Sequence, residues 1–288
     1  MLAAMDQAPK AIVTRFAPSP TGPLHLGHAH SALFAAKCAK DAGGRFRLRI
    51  EDIDSGRCRP EFIDAIFADL EWLGLEWERP VRRQSEHMED YRTALDRLAA
   101  RGLLYPCFCT RQAIQAEIAR AGHAPHGPDG FLYPGTCRTL SAAERARRID
   151  ADEPFALRLD MAAAVAAAGG LTWRDRDRGM IAADPAAFGD VVLARKDVPT
   201  SYHLAVTVDD ALEGVTLVTR GEDLFAATDV HRLLQALLGL PVPDYHHHRL
   251  LTDAEGRRYA KRDRSLTIAS LRQTGHTAAD VRAMAGFG

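Results

Sequence analysis

Apolar positions along this chain fall into two periods. Ala11, Ile12 and Val13 read as the start of a buried strand, and Leu26 to Lys40 carries apolar residues at 26, 29, 33, 36 and 39, one face of a helix that stops at Gly43 and Gly44. The run RFRLRIED then alternates, with Phe46, Leu48 and Ile50 on one side of an extended segment. Strand, helix and strand in succession form a βαβ unit, which predicts an α/β fold with a parallel sheet and a right-handed crossover. A further helix is predicted from Pro60, carrying Phe62, Ile63, Ile66, Phe67, Leu70 and Leu73 before Gly74, and another from Glu89 to Arg101. Between Cys107 and Gly189 the texture changes, with the glycine- and proline-rich HAPHGPDGFLYPG, an alanine-rich run at 161–168 that reads as a plain helix, and the polar WRDRDRG. Strand-like patterns return at Asp190 to Leu193, Leu204 to Val208 and Val215 to Thr219, followed by a helix from Asp229 to Leu238, so the parallel sheet is expected to resume there. The predicted division is 10–106 and 190–250 for two halves of one α/β domain, 107–189 for an insertion between them, and 251–288 for a basic loop with two short helices, Ser265 to Gln273 and Ala278 to Ala285.

Composition narrows the class. In 288 residues, 47% apolar content is enough to fill sizeable cores. No apolar run reaches the roughly 18 residues of a membrane span, and the opening MLAAMDQAPK lacks a secretory core, so a cytoplasmic protein without a membrane partner is expected. Five cysteines, two isolated and three grouped, do not make a disulfide framework. A net charge of −1 gives no global sign of nucleic-acid binding, but arginine collects in RFRLR (45–49), RPVRR (79–83), RARR (145–148) and RRYAKRDR (257–264). Taken alone, such clusters are either solvated faces or phosphate contacts.

The densest chemistry lies in RFAPSPTGPLHLGHAHSALFAAKCAKD, residues 15–41. In a parallel sheet, ligands sit beyond the carboxyl ends of the strands where helices begin, and LHLGH lies at such a junction. Unpaired N–H groups and the partial positive charge of a helix start favour phosphate there. Gly27 would let a nucleotide approach the backbone, and His25 and His28 can donate hydrogen bonds to charge developing on phosphorus. Four residues alone equally describe a histidine-rich helix start that caps itself.

The neighbouring motifs extend the pattern. RFAPSPTGPLHLGH, with RIEDID at 49–54, YHLAVTVDD at 202–210 and RGED at 220–223, closely resembles the catalytic domain of class I glutamyl-tRNA synthetases. The resemblance covers most of the chain and implies a Rossmann-like parallel-sheet catalytic domain. Glutaminyl enzymes typically carry a proline and a glutamate where this chain has Ala17 and Ser19, which favours glutamate as the amino acid. By that resemblance, Arg15, Phe16, Ala17, Pro18, Ser19, Glu51, Tyr202 and Arg220 form the glutamate site, with Arg15 and Arg220 gripping the side-chain carboxylate and Glu51 facing the ammonium. His25, Gly27, His28 and Lys261 would bind ATP, which is expected to come with Mg²⁺, and His25, His28 and Lys261 would be catalytic. Lys261, in RRYAKRD, stands in a loop similar to the family's Lys-Met-Ser-Lys-Ser signature, although Arg258 replaces the first lysine, Ala260 the serine, and Arg262 follows. Outside the family context these residues have plainer readings, with Arg15 in a surface ion pair, Glu51 beside Arg49, Tyr202 in a core and the basic loop as a solvated surface. Arg15→Ala is expected to remove glutamate activation with little loss of fold.

Cys107 and Cys109 in a Cys-x-Cys turn can aim two thiolates at one zinc ion and Cys137 can close the site from a returning loop, unless the three are simply buried thiols. His123, His126 and Tyr133 lie between them as candidate fourth ligands, and chemistry alone favours a histidine. The order Cys-x-Cys then Tyr-x-x-x-Cys resembles the zinc site of shortened glutamyl-synthetase relatives, which implies Tyr133 and a structural Zn²⁺. After Lys261 the chain continues only over 262–288, which is too short for the anticodon-reading domain of full glutamyl-tRNA synthetases. This layout and RGEDLFAATDVHRLLQALLGL resemble the glutamyl-queuosine tRNA(Asp) synthetases, which make the adenylate without tRNA and pass glutamate to queuosine in the anticodon loop. A monomeric ligase with L-glutamate, ATP and the tRNA(Asp) anticodon stem-loop as partners is therefore expected. The competing readings are a truncated enzyme charging a tRNA 3′ end, a small-molecule adenylate-forming ligase, and an inactive tRNA-binding relative.

Overall fold

The computed structural model describes residues 11–120, 126–128, 130–251 and 267–288. Strand β1 (Val13–Phe16) is buried throughout and leads by the 17–25 loop into helix α1 (Leu26–Asp41), after which β2 (Arg45–Ile50) returns parallel to β1, Val13 facing Arg45. Gly44 makes this return possible, because a Cβ there would stand 2.1 Å from the carbonyl oxygen of Ile12. Helix α2 (Pro60–Trp72) starts on a proline, whose missing N–H costs nothing in a first turn, and buries Ile63, Ile66 and Leu70. Strand β3 (Glu78–Arg83) then pairs parallel with β2, and α3 (Met88–Ala100) follows. The sequence pattern missed β3: in ERPVRR the charged residues hide the strand period, and ion pairs such as Arg47 with Glu78 replace apolar burial.

Next come β4 (Leu104–Cys107), α4 (Arg111–Arg120), the small hairpin β5 (His126–Gly127) and β6 (Gly130–Phe131), α5 (Ala142–Asp150), β7 (Ala156–Leu159), α6 (Met161–Ala168), β8 (Thr172–Asp175), β9 (Gly179–Ala182) and β10 (Val192–Ala194). Strands β10, β7 and β4 make an antiparallel sheet, so the 190–193 segment joins that sheet and not the parallel one. After it, α7 (Tyr202–Leu212) occupies the segment whose unbroken apolar run at 204–208 suggested a strand. A short buried run reads the same in either conformation; here Ser201 caps the helix by accepting from Leu204 N, and residues 204–210 are buried all round because α7 lies between α3, α8 and the strands.

Strand β11 (Leu217–Gly221), α8 (Ala227–Leu238), β12 (Asp244–His248) and the terminal helices α9 (Ile268–Gln273) and α10 (Ala278–Met284) complete the order. Strands β11, β12, β8 and β9 form a second sheet, joined to the first along β1, where Thr216 N donates to the Val13 carbonyl at 3.0 Å. One apolar core lies under β1, β2, α1 and α2 and is closed by Ile268, Leu271 and Val281 of the last helices. A second gathers α3, α6, α7 and α8 around Leu98, Leu204 and Leu234. Among the described residues no helix is long and apolar enough to cross a membrane.

Candidate active site

Residue His25 is the N-cap of α1. Its Nδ1 accepts from Gly27 N at 3.1 Å, and His28 Nδ1 accepts from His25 N at 3.1 Å, so two histidines supply a reciprocal capping box that hydroxyl and carboxylate side chains usually make. An imidazole that accepts at Nδ1 carries its proton on Nε2 when neutral. Capping therefore turns both rings into donors at Nε2, with centroids 3.8 Å apart. A Cβ at residue 27 would lie 3.0 Å from His25 Cε1, so the glycine also serves to seat the capping ring. The self-capping reading of His-x-Gly-His is thus what the structure shows.

A cavity of about 420 Å³ opens at this helix start. It is lined by Arg15, Phe16, Ala17, Pro18, Ser19, His25, Gly27, His28, Glu51, Tyr202 and Arg220, joined by His30, Thr219, Asp223, His248 and Leu251 among others. The positions chosen from sequence for the amino acid and nucleotide thus share one wall, Lys261 excepted, since it lies outside the described residues. Leu251 lines the cavity and Thr267 pairs with His25.

Beneath the cavity floor runs a buried ionic network. Arg15 on β1 is 6% exposed and gives its Nε to Asp210 Oδ1 at 2.9 Å and Nη1 to the Thr219 carbonyl at 2.9 Å. Arg49 on β2 is fully buried and meets Asp210 at 2.8 Å, Glu213 at 2.7 Å and Glu51 at 3.1 Å. Arg82 on β3 reaches Asp209 at 2.7 Å, and Tyr91 and Gln84 also donate to that carboxylate. Helix α7 therefore clamps three strands through the acidic residues of its second half. Burial pushes the Glu51 carboxyl up against the opposing pull of Arg49 and Arg15, while for Asp210 the two guanidiniums overcome burial and hold it below the usual range. Arg15 is thus paired with an anion of its own chain, though buried where the plain reading had a surface pair, and Glu51 lies beside Arg49 as that reading had it. The carboxylates of α7 were quoted in the motif, but their partners lie more than a hundred positions away and no local signal marks them.

Arg220 differs from Arg15. Equally buried at 6% exposure, it meets only neutral groups among the described residues: His247 Nε2 at 3.2 Å, His231 Nδ1 at 3.2 Å and Thr228 Oγ1 at 2.6 Å. Tyr202, the first residue of α7, shares the cavity with it.

A larger neighbouring cavity of about 880 Å³ shares Ser19, Glu51 and Tyr202 with the first. Arg57, Arg111, Arg158, Arg195 and Lys196 line it together with Cys109, as do Asp54 and Asp197, which pair with Arg57 and Arg195.

The sulfur atoms of Cys107, Cys109 and Cys137 lie within 4.8 Å of one another. Cys109 Sγ is 3.5 Å from Cys137 Sγ and 3.5 Å from the Tyr133 hydroxyl, close to the ~3.8 Å edge of a tetrahedron with zinc–sulfur bonds of about 2.3 Å. Burial raises the Cys109 thiol to about 11, a cost that a bound cation removes. Three soft donors and one phenol oxygen fit Zn²⁺, and the structure brings Tyr133 to them; His123 and the side chain of His126 lie outside the described residues. Arg158 stacks 3.9 Å above the Tyr133 ring, joining this cluster to the wall of the larger cavity.

Comparison with known proteins agrees with this geometry. Residues 11–284 match the family described as tRNA synthetases class I (E and Q), catalytic domain. A glutamyl-Q tRNA(Asp) synthetase of Rhodobacter capsulatus is 51% identical over 96% of this chain and 100% of its own length, and one from Symbiobacterium thermophilum is 46% identical over 91% and 81%. A crystal structure of a glutamate tRNA ligase from Elizabethkingia meningosepticum, in complex with its amino acid, superposes with a TM-score of 0.74 at 29% identity, covering 93% of this chain but 54% of the ligase. The chain thus spans about half the length of that solved ligase. On these grounds it is a ligase that belongs to the class I tRNA synthetases of the E and Q type, among the glutamyl-Q tRNA(Asp) synthetases.

Proposed function

We propose that the protein activates L-glutamate with ATP in the absence of tRNA and then passes the glutamyl group to the queuosine base in the anticodon loop of tRNA(Asp). The observation that carries this reading is the meeting, in one cavity, of an uncompensated buried guanidinium with two capping histidines at a helix start. Arg220 receives the side-chain carboxylate, with the remaining N–H groups of Arg15, Tyr202 and Ser19 as further polar contacts, Phe16, Ala17 and Pro18 as wall, and Glu51 toward the ammonium. ATP, entering as its Mg²⁺ complex, lies over Gly27 with its α-phosphate at the start of α1. An oxygen of the glutamate α-carboxylate attacks the α-phosphorus; the new P–O bond forms as the bond to pyrophosphate breaks. Nε2–H of His25 and of His28 stabilises the charge that builds on the phosphate oxygens, and Lys261 is assigned to the departing pyrophosphate. In the second step the acceptor hydroxyl oxygen attacks the activated carbonyl, the bond from that carbon to the phosphate oxygen breaks, and AMP leaves while the hydroxyl proton passes to its phosphate or to water.

The basic wall of the larger cavity, adjoining the first at Tyr202, suits an RNA loop whose splayed base reaches the adenylate. Cys107, Cys109, Cys137 and Tyr133 would hold one structural Zn²⁺, which fixes the chain segment lining that wall. The alternative of charging a 3′ end draws on the same adenylate and is separated by the acceptor alone. The test is glutamate-dependent exchange of pyrophosphate into ATP without tRNA, then transfer of labelled glutamate to tRNA(Asp) with and without queuosine and with the 3′ end trimmed. Exchange, and transfer that needs queuosine but survives trimming, is the expected result. Transfer abolished by trimming would overturn the acceptor, and absence of exchange would overturn the activation step.

A further inference from the structure

The surroundings of Arg220 assign protons. Guanidinium nitrogens only donate, so the ring nitrogens that face them, His247 Nε2 and His231 Nδ1, both at 3.2 Å, carry lone pairs. The proton of His247 is then on Nδ1, which donates to Asp175 Oδ2 at 2.8 Å. The proton of His231 is on Nε2, 3.2 Å from His203 Nδ1. Burial and the adjacent Arg220 charge lower His247 to about 4 and also lower His231, which keeps both rings neutral. Asp175 is 1% exposed, and Asp177 N and Arg178 N donate to its Oδ1 at 3.0 and 3.1 Å, so its orientation is fixed by the turn after β8.

The contrast with Arg15 gives this arrangement its meaning. A guanidinium already paired with a carboxylate of its own chain loses nothing when a neutral amide enters beside it. One held only by imidazoles and a hydroxyl is left with a desolvated, unbalanced charge unless the ligand is an anion. Here the negative charge of Asp175 stands one imidazole away from Arg220, near enough to set a tautomer and without direct contact.

We propose that His247 and His231 are positioning residues that orient Arg220 while leaving its charge uncompensated, and that Asp175 sets the His247 tautomer, so that this relay makes the pocket select a side-chain carboxylate over an amide. The proposal rests on the reading that Arg220 faces the side chain of glutamate. In Asp175→Asn the amide oxygen stays with the two backbone N–H donors at the turn, the NH₂ faces His247 Nδ1, and the ring proton moves to Nε2 against the Arg220 N–H. His231→Leu removes the second acceptor outright, whereas His231→Gln offers an amide oxygen in its place.

The experiment measures ATP–pyrophosphate exchange with glutamate and with glutamine for the full chain and these three variants, with thermal melting as the check on fold. Asp175→Asn and His231→Leu are expected to raise the KM for glutamate by roughly 10- to 100-fold and to narrow the preference over glutamine, with the KM for ATP within about twofold. His231→Gln recovers most of the loss. A glutamate KM unchanged in the folded variants, or a rise matched by that for ATP, would overturn the relay while leaving glutamate activation standing. If Asp175→Asn does not fold, the pair at position 231 decides by the same criteria. A parent protein that shows no glutamate-dependent exchange overturns the functional reading itself and the relay with it.

Discussion

Gly27 is the residue whose smallest change has the largest expected effect on chemistry. A methyl group there would sit 3.0 Å from the His25 ring, on the side where that ring accepts the Gly27 N–H. Gly27→Ala is therefore expected to reduce pyrophosphate exchange by ~10-fold or more while leaving the melting temperature nearly unchanged, which kinetics and thermal melting on the same sample would show. Arg15 behaves in the opposite way. Removing a guanidinium that is 6% exposed leaves buried Asp210 with Arg49 alone, so Arg15→Ala should lose roughly 1–3 kcal/mol of stability in urea titration, against the sequence expectation of little loss of fold. Asp69 on α2 offers a gain. It is 5% exposed, its Oδ2 has no hydrogen-bond partner, and burial, countered by Arg272, raises its carboxyl to about 6. A carboxyl raised in the folded state costs stability above that value and nothing below the ordinary 3.8. Asp69→Asn should thus stabilise the protein by about 1–3 kcal/mol at pH 8 and by little at pH 3.5, read from melting at the two pH values.

At the scale of elements, the metal centre and α7 separate what could be read from the sequence from what could not. Spacing alone marked Cys107, Cys109 and Cys137, whereas Tyr133 came from the family resemblance, chemistry alone favouring a histidine, and the structure brings these four side chains together. If they hold one zinc ion, Cys109→Ser should lower bound zinc from about one per chain toward zero, by elemental analysis, and loosen the β4–β7 region to hydrogen exchange while α1 and β1 stay protected. Local periodicity likewise gave β1, α1, β2 and α2 close to their observed bounds. It failed at α7, where burial on every side erases the helical period, and at β3, where ion pairs take the place of apolar alternation. The cavity wall was legible residue by residue; its supports were not. Asp209, Asp210 and Glu213 find partners on β1, β2 and β3, and His247 finds Asp175, 72 positions away, so these links exist only once the sheets are assembled.

For the whole molecule, acid sensitivity follows from histidines buried in their neutral form. His247 is lowered to about 4, and His231 and His248 are also lowered, whereas in the unfolded chain each takes a proton near 6.5. Stability that these groups contribute is complete above about pH 6.5 and is lost as pH falls toward 4, on the order of 3 kcal/mol for His247 alone. The carboxyls of Asp69, Glu51, Glu213 and Asp229, all raised by burial, oppose this trend, so between pH 7 and pH 5 the urea midpoint of Asp69→Asn should fall more steeply than that of the parent. The seam between the sheets has a consequence for synthesis. Val13 and Thr216 are hydrogen-bonded neighbours although 203 positions separate them, and the two strands that meet there bear Arg15 and Arg220. A ribosome must therefore release the chain past Arg220 before any cleft for the amino acid exists, so shorter nascent fragments, however well their first βαβ unit folds, are born inert.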